Sequence, residues 1–307
     1  MSVAGLSVDV DSVASHLEGY GFVRPEDDGT AYRVAIPRIL ELFERRGVRG
    51  TFFLIAAEAE AHRDVVREIV ARGHEVASHS MTHSLPFFGL GPEALRREVV
   101  DSKETLQSVS GTRVSGFRAP SWDLPQELLQ HLVDAGYRYD ASEYPSILLP
   151  LLRRSIARRS ASGRTNTGSS AWKGVFGPTR PYYLSAGSRG VWEIPICTAP
   201  WTRVPYYHTL RFVLPKPVFR GLGAVARRRR GPISYQFHAV DFLSVEADHL
   251  DPRINRHPGM DRTLDTKLDL ASAAIDELSR ERAVIPLTEI VDLLEANDSA
   301  YESTTGS

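Results

Sequence analysis

The sequence lacks the features that define several large classes of protein. Its 307 residues include a single cysteine, Cys197, so an internal disulfide framework is excluded. No apolar run is long enough to cross a bilayer, and the N-terminus lacks the basic-then-apolar pattern of a signal peptide. The net charge of -1 provides no overall attraction to nucleic acid. We therefore expect a cytoplasmic protein that does not bind nucleic acid.

What the sequence does contain is sufficient for a large folded core. Hydrophobic residues make up 42% of the chain and charged residues 24%, as in ordinary globular proteins. Short apolar strands alternate with amphipathic helices, which is typical of a parallel sheet with helices outside it. The length suits one α/β barrel with insertions. We predict a single domain over residues 1–296, followed by a disordered tail over 297–307.

Two stretches break this alternation, and we predict that they are insertions over the rim of the barrel. The first, about 144–184, contains an apolar patch, paired arginines and a tract rich in serine. The second, about 197–231, carries several aromatic residues and ends in four arginines. Such side chains can stack on a sugar ring, contact a lipid tail or pair with a phosphate. Residues 147–159 and 210–230 could also contact a membrane surface, whereas the alternative for the arginine runs is a solvated loop.

Two histidines, His79 and His83, follow a predicted strand over Glu75–Ser78. On a helical turn this spacing places both rings on one face, close enough to share a cation. Two histidines alone do not make a metal site, so a third ligand must come from elsewhere in the chain.

The first predicted strand supplies carboxylates that can complete the site. Its alternation places Asp9 and Asp11 on one face, where a shared cation would offset their repulsion. The alternative is a helix-capping aspartate beside a solvated one. Both carboxylates, both histidines and His238 fall at the carboxyl ends of predicted parallel strands, where barrels of this kind build their sites. Because Asp11 lies further past the strand end, we assign it with His79 and His83 as the metal ligands, leaving Asp9 as a general base.

The chain resembles the polysaccharide deacetylase family, also called NodB-homology or carbohydrate esterase family 4. Four motifs carry the resemblance, in this order: Val8–Ser12, His79–His83, Arg118–Trp122 and Phe237–His238. It spans roughly residues 4 to 295 and implies a distorted (β/α) barrel of the NodB-homology type. Val10 separates two carboxylates that are adjacent in many members. This Asp-x-Asp form resembles an intracellular branch that includes a peptidoglycan-deacetylase-like protein and the lipid-linked aminoarabinose deformylase.

The resemblance implies a metal-dependent hydrolase that removes an acetyl or formyl group from the nitrogen of an amino sugar. Asp11, His79 and His83 would hold one divalent ion. Zinc is the expected ion, and cobalt, nickel, manganese and iron are alternatives. Asp9 would take a proton from the water bound there, and His238 would protonate the departing amine.

The resemblance also implies roles for residues around these groups. Arg118 would pair with Asp9 and hold it ionised. Pro120 and Trp122 would form a wall of the substrate pocket. Asp140 is assigned to the same substrate-binding set, as the residue that orients His238.

The substrate expected from these features is a small or lipid-linked N-acylated sugar in preference to a wall polymer. Contact with the inner face of a membrane and a homo-oligomer are both compatible with this expectation. Two alternatives stay open. One keeps the metal site but hydrolyses a linear or cyclic non-sugar amide, such as an imide or ureide, and the other is a non-catalytic carbohydrate-binding relative.

Overall fold

The computed structural model describes residues 2–125, 127–148 and 176–305, with side chains as far as residue 297. The strands are β1 (Val3–Val10), β2 (Thr51–Leu54), β3 (Glu75–Ser78), β4 (Gly116–Phe117), β5 (Tyr139–Asp140), β6 (Tyr182–Ala186), β7 (Arg189–Glu193), β8 (Ile233–His238) and β9 (Ala283–Ile285). The α-helices are α1 (Val13–Gly19), α2 (Ile36–Arg45), α3 (Ala56–Ala61), α4 (Arg63–Ala71), α5 (Pro92–Arg96), α6 (Ser102–Ser110), α7 (Leu128–Asp134), α8 (Thr209–Val213), α9 (Lys216–Arg227), α10 (Leu264–Ser279) and α11 (Leu287–Thr305). Within these residues no helix is both long and apolar enough to cross a membrane.

The strands form one sheet in the order β6-β7-β5-β4-β3-β2-β1-β8, and β9 pairs with β1. The described pairs are parallel except for β6 with β7. The chain beyond β7 reaches β8, because the Cys197 N–H donates to the Ser234 carbonyl at 3.1 Å. The His208 N–H donates to the Gln236 carbonyl at 3.0 Å. The predicted α/β fold with a distorted barrel is therefore confirmed.

Strand β1 lies between β2 and β8 and is buried along its whole length. Its apolar side chains, Leu6 and Val8 among them, pack in the main hydrophobic core. Two of the alternate residues, Ser7 and Asp9, are polar, and Asp9 lies opposite His238 in the parallel register of β1 with β8. Because parallel strands in register end at the same edge, this pairing brings two predicted site residues together.

Two helices lie near the two ends of the chain. The first, α1, occupies Val13–Gly19, close behind β1. The Ser12 side chain caps it by accepting a hydrogen bond from the Ser15 N–H at 3.2 Å, a role for which serine is favoured. At the other end, α11 continues to Thr305, so the described part of the predicted disordered tail is helical.

The two predicted insertions have different outcomes. Residues 149–175 of the first lie outside the described part of the chain, and its end forms β6, which pairs antiparallel with β7. The second contains α8 and α9, and its aromatic residues Tyr206, Tyr207 and Phe219 are buried. Arg229 is also buried and donates to the Thr198 carbonyl at 3.3 Å. Most of the second segment is therefore folded, although Arg228 and Arg230 are exposed after the end of α9.

Three carboxyl groups cluster where β5 lies beside β7. Asp140 is opposite Glu193 in the register of the two strands, and the Glu143 N–H donates to Glu193 Oε1 at 3.0 Å. Burial raises the pKa of Asp140 to about 6 and that of Glu143 to about 7. Burial and then repulsion by Asp140 and Glu143 raise the pKa of Glu193 well above its usual range. The cluster therefore favours protonated carboxyl groups in the folded state.

These raised pKa values predict that the protein loses stability as the pH rises. A carboxyl group whose pKa is raised by folding stabilises the fold fully below its unfolded pKa, about 4.3 for glutamate, and that contribution is lost as the pH rises through the folded pKa. Glu193→Gln removes one such group at nearly constant size. As the pH rises from about 5 to 7, the free energy of unfolding of this variant should therefore increase relative to that of the parent, by up to ~1.4 kcal/mol per pH unit.

Denaturant unfolding of both proteins at several pH values measures this effect. Glu246→Gln, at an exposed loop position, is the matched control and should track the parent. A stability difference between Glu193→Gln and the parent that does not change with pH would contradict the prediction.

Candidate active site

The three predicted metal ligands converge at the carboxyl-terminal edge of β1 and β3. Asp11 Oδ1 lies 3.2 Å from His79 Nε2 and 3.6 Å from His83 Nε2. One ligand atom from each residue lies within 4.8 Å of the other two, and all three residues are buried. One carboxylate oxygen and two imidazole nitrogens this close together fit a divalent metal ion such as zinc.

The histidine pair does not lie on a helical turn, as its spacing suggested. His79–His83 is an irregular loop in which Ser80 and His83 adopt left-handed backbone conformations, with φ of 70° and 58°. The buried carboxylate of Glu98 accepts hydrogen bonds from two consecutive N–H groups of this loop, at 2.9 Å each. Because Glu98 holds the loop from another element, the two rings meet without helical geometry.

The protonation states of the ligands are set by burial and by one another. Burial alone would raise the pKa of Asp11, but His83 and His79 lower it well below its usual range. Burial lowers the pKa of His83 to about 4, so this imidazole is neutral near pH 7. Burial also acts to lower the pKa of His79. The attraction between His79 and Asp11 outweighs this effect, so the pKa of His79 is raised overall. Metal binding would therefore compete with a proton on His79.

His79 is also held in one orientation. Its Nδ1 lies 2.8 Å from the carbonyl oxygen of Arg118, which can only accept a hydrogen bond. Nδ1 therefore carries the hydrogen, and in the neutral ring Nε2 keeps its lone pair for a ligand. Contacts of this kind fix the ring orientation of metal-binding histidines.

Asp9 lies deeper in the barrel than Asp11 and is held on both oxygens. Its Oδ1 is paired with the guanidinium of Arg118, as predicted, and its Oδ2 accepts a hydrogen bond from the side-chain amide of Gln236. Arg118 is fully buried, donates from Nε to the Ala141 carbonyl at 3.0 Å and lies over the ring of Phe53 at 4.0 Å. These contacts orient Asp9 beside the metal ligands.

His238 reaches the same centre from the end of β8. The Nε2 atom of His238 lies 4.0 Å from Asp9 Oδ2. Asp9 Oδ2 is also 4.0 Å from His79 Nε2. On the other side of the ring, Nδ1 lies 3.3 Å from Thr209 Oγ1. The backbone N–H of His238 donates to Asp241 at 2.8 Å.

The structure corrects the assignment of Asp140. This residue was expected to orient His238, but its side chain accepts a hydrogen bond from Ser142 and lies against Glu193 in the carboxyl cluster. The contact to His238 Nδ1 comes from Thr209, in the second predicted insertion.

The predicted pocket wall is aromatic. Pro120 and Trp122 belong to a short 3-10 turn after β4, and Pro120 is buried. The Trp122 ring lies 5.0 Å from Tyr144, 6.2 Å from Tyr207 and 6.2 Å from His238, measured between ring centroids. The proximity to His238 agrees with a wall position for Trp122, and contact with substrate stays a prediction.

Three residues near this centre were missed by the sequence analysis. His16 Nε2 lies 3.9 Å from Asp11 Oδ2, and the His16 ring is 4.8 Å from that of His257 and 6.1 Å from that of His238. Burial lowers the pKa of His16 to about 4. Neither histidine lies in a recognisable motif. Gln236, in contrast, lies two positions before His238, and the alternation of β8 could have placed both on one face.

Comparison with known proteins agrees with the resemblance. Residues 27–139 match the family described as polysaccharide deacetylase. The peptidoglycan deacetylase of Helicobacter pylori is 31% identical over 141 residues, which cover 44% of this chain and 47% of that protein. The chain thus spans about half the length of the curated relatives it matches.

Solved structures are similar over nearly the whole chain. A protein from Mycobacterium smegmatis assigned to the polysaccharide deacetylases superposes with a TM-score of 0.62 at 18% identity, covering 96% of this chain and 91% of that one. The PuuE allantoinase superposes with a TM-score of 0.60 at 16% identity, covering 96% of this chain and 90% of that one. At these identities the likeness concerns the fold.

The geometry predicts that metal binding depends on each of the three converging residues. Asp11→Ala and His79→Ala each remove one of three donors, so both variants should lose stoichiometric zinc or cobalt after dialysis. His131→Ala, on α7 and outside the cluster, is the matched control and should bind metal like the parent. Elemental analysis of the dialysed proteins gives the metal content. Retention of one ion by the His79→Ala variant would contradict the assignment.

Proposed function

We propose that this chain, whose residues 27–139 match the polysaccharide deacetylase family, hydrolyses an N-acyl group, acetyl or formyl, from an amino sugar with the help of one divalent metal ion. The observation that carries the proposal is the convergence of Asp11, His79 and His83 beside Asp9 and His238. A metal-binding triad with an acid and a base next to it is the equipment that hydrolysis of an unactivated amide requires.

Asp11, His79 and His83 would hold the ion, whose contribution when bound is to polarise the acyl carbonyl and to make a water more acidic. The donor set suits zinc, and cobalt, nickel, manganese and iron are alternatives for the same ligands. The buried position of the three residues supports this assignment, because it keeps competing water away from the carboxylate.

Asp9 would act as the general base and take a proton from the attacking water on Oδ2. Its Oδ2 is 4.0 Å from both His79 Nε2 and His238 Nε2, so it borders the space that a water and an acyl group would share. The ion pair of Oδ1 with Arg118 fixes the direction of the carboxylate. As the water oxygen bonds to the acyl carbon, its proton would move to Asp9.

His238 would act as the general acid. Cleavage of the carbon–nitrogen bond leaves an amine that must gain a proton, and His238 Nε2 is the candidate donor. The contact of its Nδ1 with Thr209 at 3.3 Å and of its backbone with Asp241 supports a fixed ring orientation. The products would be a carboxylate, acetate or formate, and the free amino sugar.

The aromatic wall supports a sugar as the substrate. Trp122, Tyr144 and Tyr207 form one group of rings beside His238, and aromatic faces commonly pack against the apolar faces of sugar rings. Val10 separates Asp9 from Asp11, and this spacing resembles the Asp-x-Asp branch of the family. The resemblance to that branch favours a small or lipid-linked substrate over a wall polymer.

The division of roles predicts that Asp9→Asn binds metal normally but hydrolyses N-acyl sugars more slowly, by about 10²- to 10⁴-fold. The amide keeps the shape of the side chain but cannot accept the proton. Asp269→Asn, exposed on α10, is the matched control and should retain activity. Parent-like turnover by the Asp9→Asn variant would rule out Asp9 as the base.

The substrate class can be tested with the zinc-loaded parent. We expect free amine and acetate or formate to appear from a panel of N-acetyl and N-formyl amino sugars, with and without a lipid phosphate. Small cyclic amides and ureides belong in the same panel. Hydrolysis confined to those cyclic compounds would contradict a sugar substrate while leaving the metal site and fold in place.

A further inference from the structure

We propose that the corner formed by the end of α8, by α9 and by the arginines that follow, residues 213–230, docks on an anionic membrane surface. We call this segment the basic corner. The proposal goes beyond the hydrolytic function and does not depend on it, because it rests on charge and exposure away from the metal ligands.

The charge around the basic corner is one-sided. From residue 194 to residue 240 the chain contains no aspartate or glutamate but eight lysines and arginines, although the whole protein has a net charge of -1. Arg211 and Arg227 pair with Glu277 at 2.8 and 3.5 Å, and these two cations are therefore compensated. Four others are exposed and form no ion pair with any residue that the structure describes: Lys216, Arg220, Arg228 and Arg230.

Apolar side chains are exposed among these cations. Val213, Val218 and Val225 are 55%, 53% and 38% exposed, whereas Phe219 and Ala226 on the other side of α9 are buried. Val218 and Val225 are seven residues apart and therefore lie on one face of the helix. A helix face that combines exposed apolar residues with lysine and arginine is typical of helices that lie in the membrane interface.

This combination favours a lipid surface over a nucleic acid. Lysine and arginine would interact with phosphates in either case. Only a bilayer, however, offers the valines an apolar layer just beneath the phosphates.

The neighbouring groove marks where this surface ends. A groove of about 520 Å³ separates α9 from α10 and is lined by Lys216 and Arg220 on one side and by Asp269 on the other. The α10 side carries a further exposed acid, Asp265, whereas Asp276 is paired with Arg46 at 2.9 Å. Attraction to anionic lipid would therefore turn α9 toward the bilayer and α10 away from it.

The basic corner is one short helix away from the candidate active site. Helix α8 begins at Thr209, whose hydroxyl contacts His238, and ends at the exposed Val213. Five helical residues span about 7.5 Å along the helix axis. Docking would therefore bring the mouth of the site close to the lipid headgroups, where a lipid-linked sugar would be presented.

The proposal is tested by sedimentation of the full chain with vesicles of phosphatidylcholine, alone or mixed with about one-third phosphatidylglycerol. We expect the parent to sediment with the anionic vesicles only, and less so at high salt. The double variant Lys216→Glu, Arg220→Glu should bind at least about tenfold more weakly. Arg45→Glu with Arg97→Glu changes the net charge equally at exposed positions on other elements and should bind like the parent.

A second variant tests the apolar contribution. Val218→Ser with Val225→Ser keeps every charge, so weaker vesicle binding would support insertion of α9. Equal binding by this variant and the parent, or equal affinity of the parent for a DNA duplex, would overturn the lipid surface in favour of general polyanion binding. Failure of the parent to sediment, or parent-like binding by the charge-reversed variant, would reject the docking surface altogether. Hydrolysis of a soluble substrate by the charge-reversed variant should be unchanged.

Discussion

The ion pair between Arg118 and Asp9 inside the barrel is the interaction on which the site depends. Both residues are buried, so each charge is compensated by the other away from water. Arg118 also contributes its backbone carbonyl to His79 Nδ1. Arg118, directly after β4, therefore orients both Asp9, the proposed base, and His79, a proposed metal ligand. Gln236 links Asp9 to β8.

This arrangement explains how two nearby aspartates can serve different purposes. Asp11 lies past the strand end beside His79 and His83. Burial would raise the pKa of Asp11, but the two histidines hold it well below its usual range. Asp9 has its oxygens engaged by Arg118 and Gln236. The residue between them, Val10, packs in the core and separates the two carboxylates along the chain.

Much of this could be predicted from local sequence. Alternation in β1 indicated the shared face of Asp9 and Asp11, and strand ends indicated the common edge with His238. The errors have non-local causes: the loop over His79–His83 is shaped by Glu98, and Asp140 is paired with Glu193 from a later strand. The N-cap of α1 at Ser12 follows a local preference of serine for this position. The approach of His16 and His257 to the site, in contrast, depends on tertiary packing that no local pattern reports.

The central claim is the division of roles between the two aspartates, and the ligand set of the bound metal tests it most directly. X-ray absorption at the metal edge of the zinc-loaded protein should show two imidazole nitrogens and at least one oxygen ligand. The account predicts that this spectrum is unchanged in Asp9→Asn and altered or lost in Asp11→Asn. A spectrum that is lost in Asp9→Asn but kept in Asp11→Asn would contradict it.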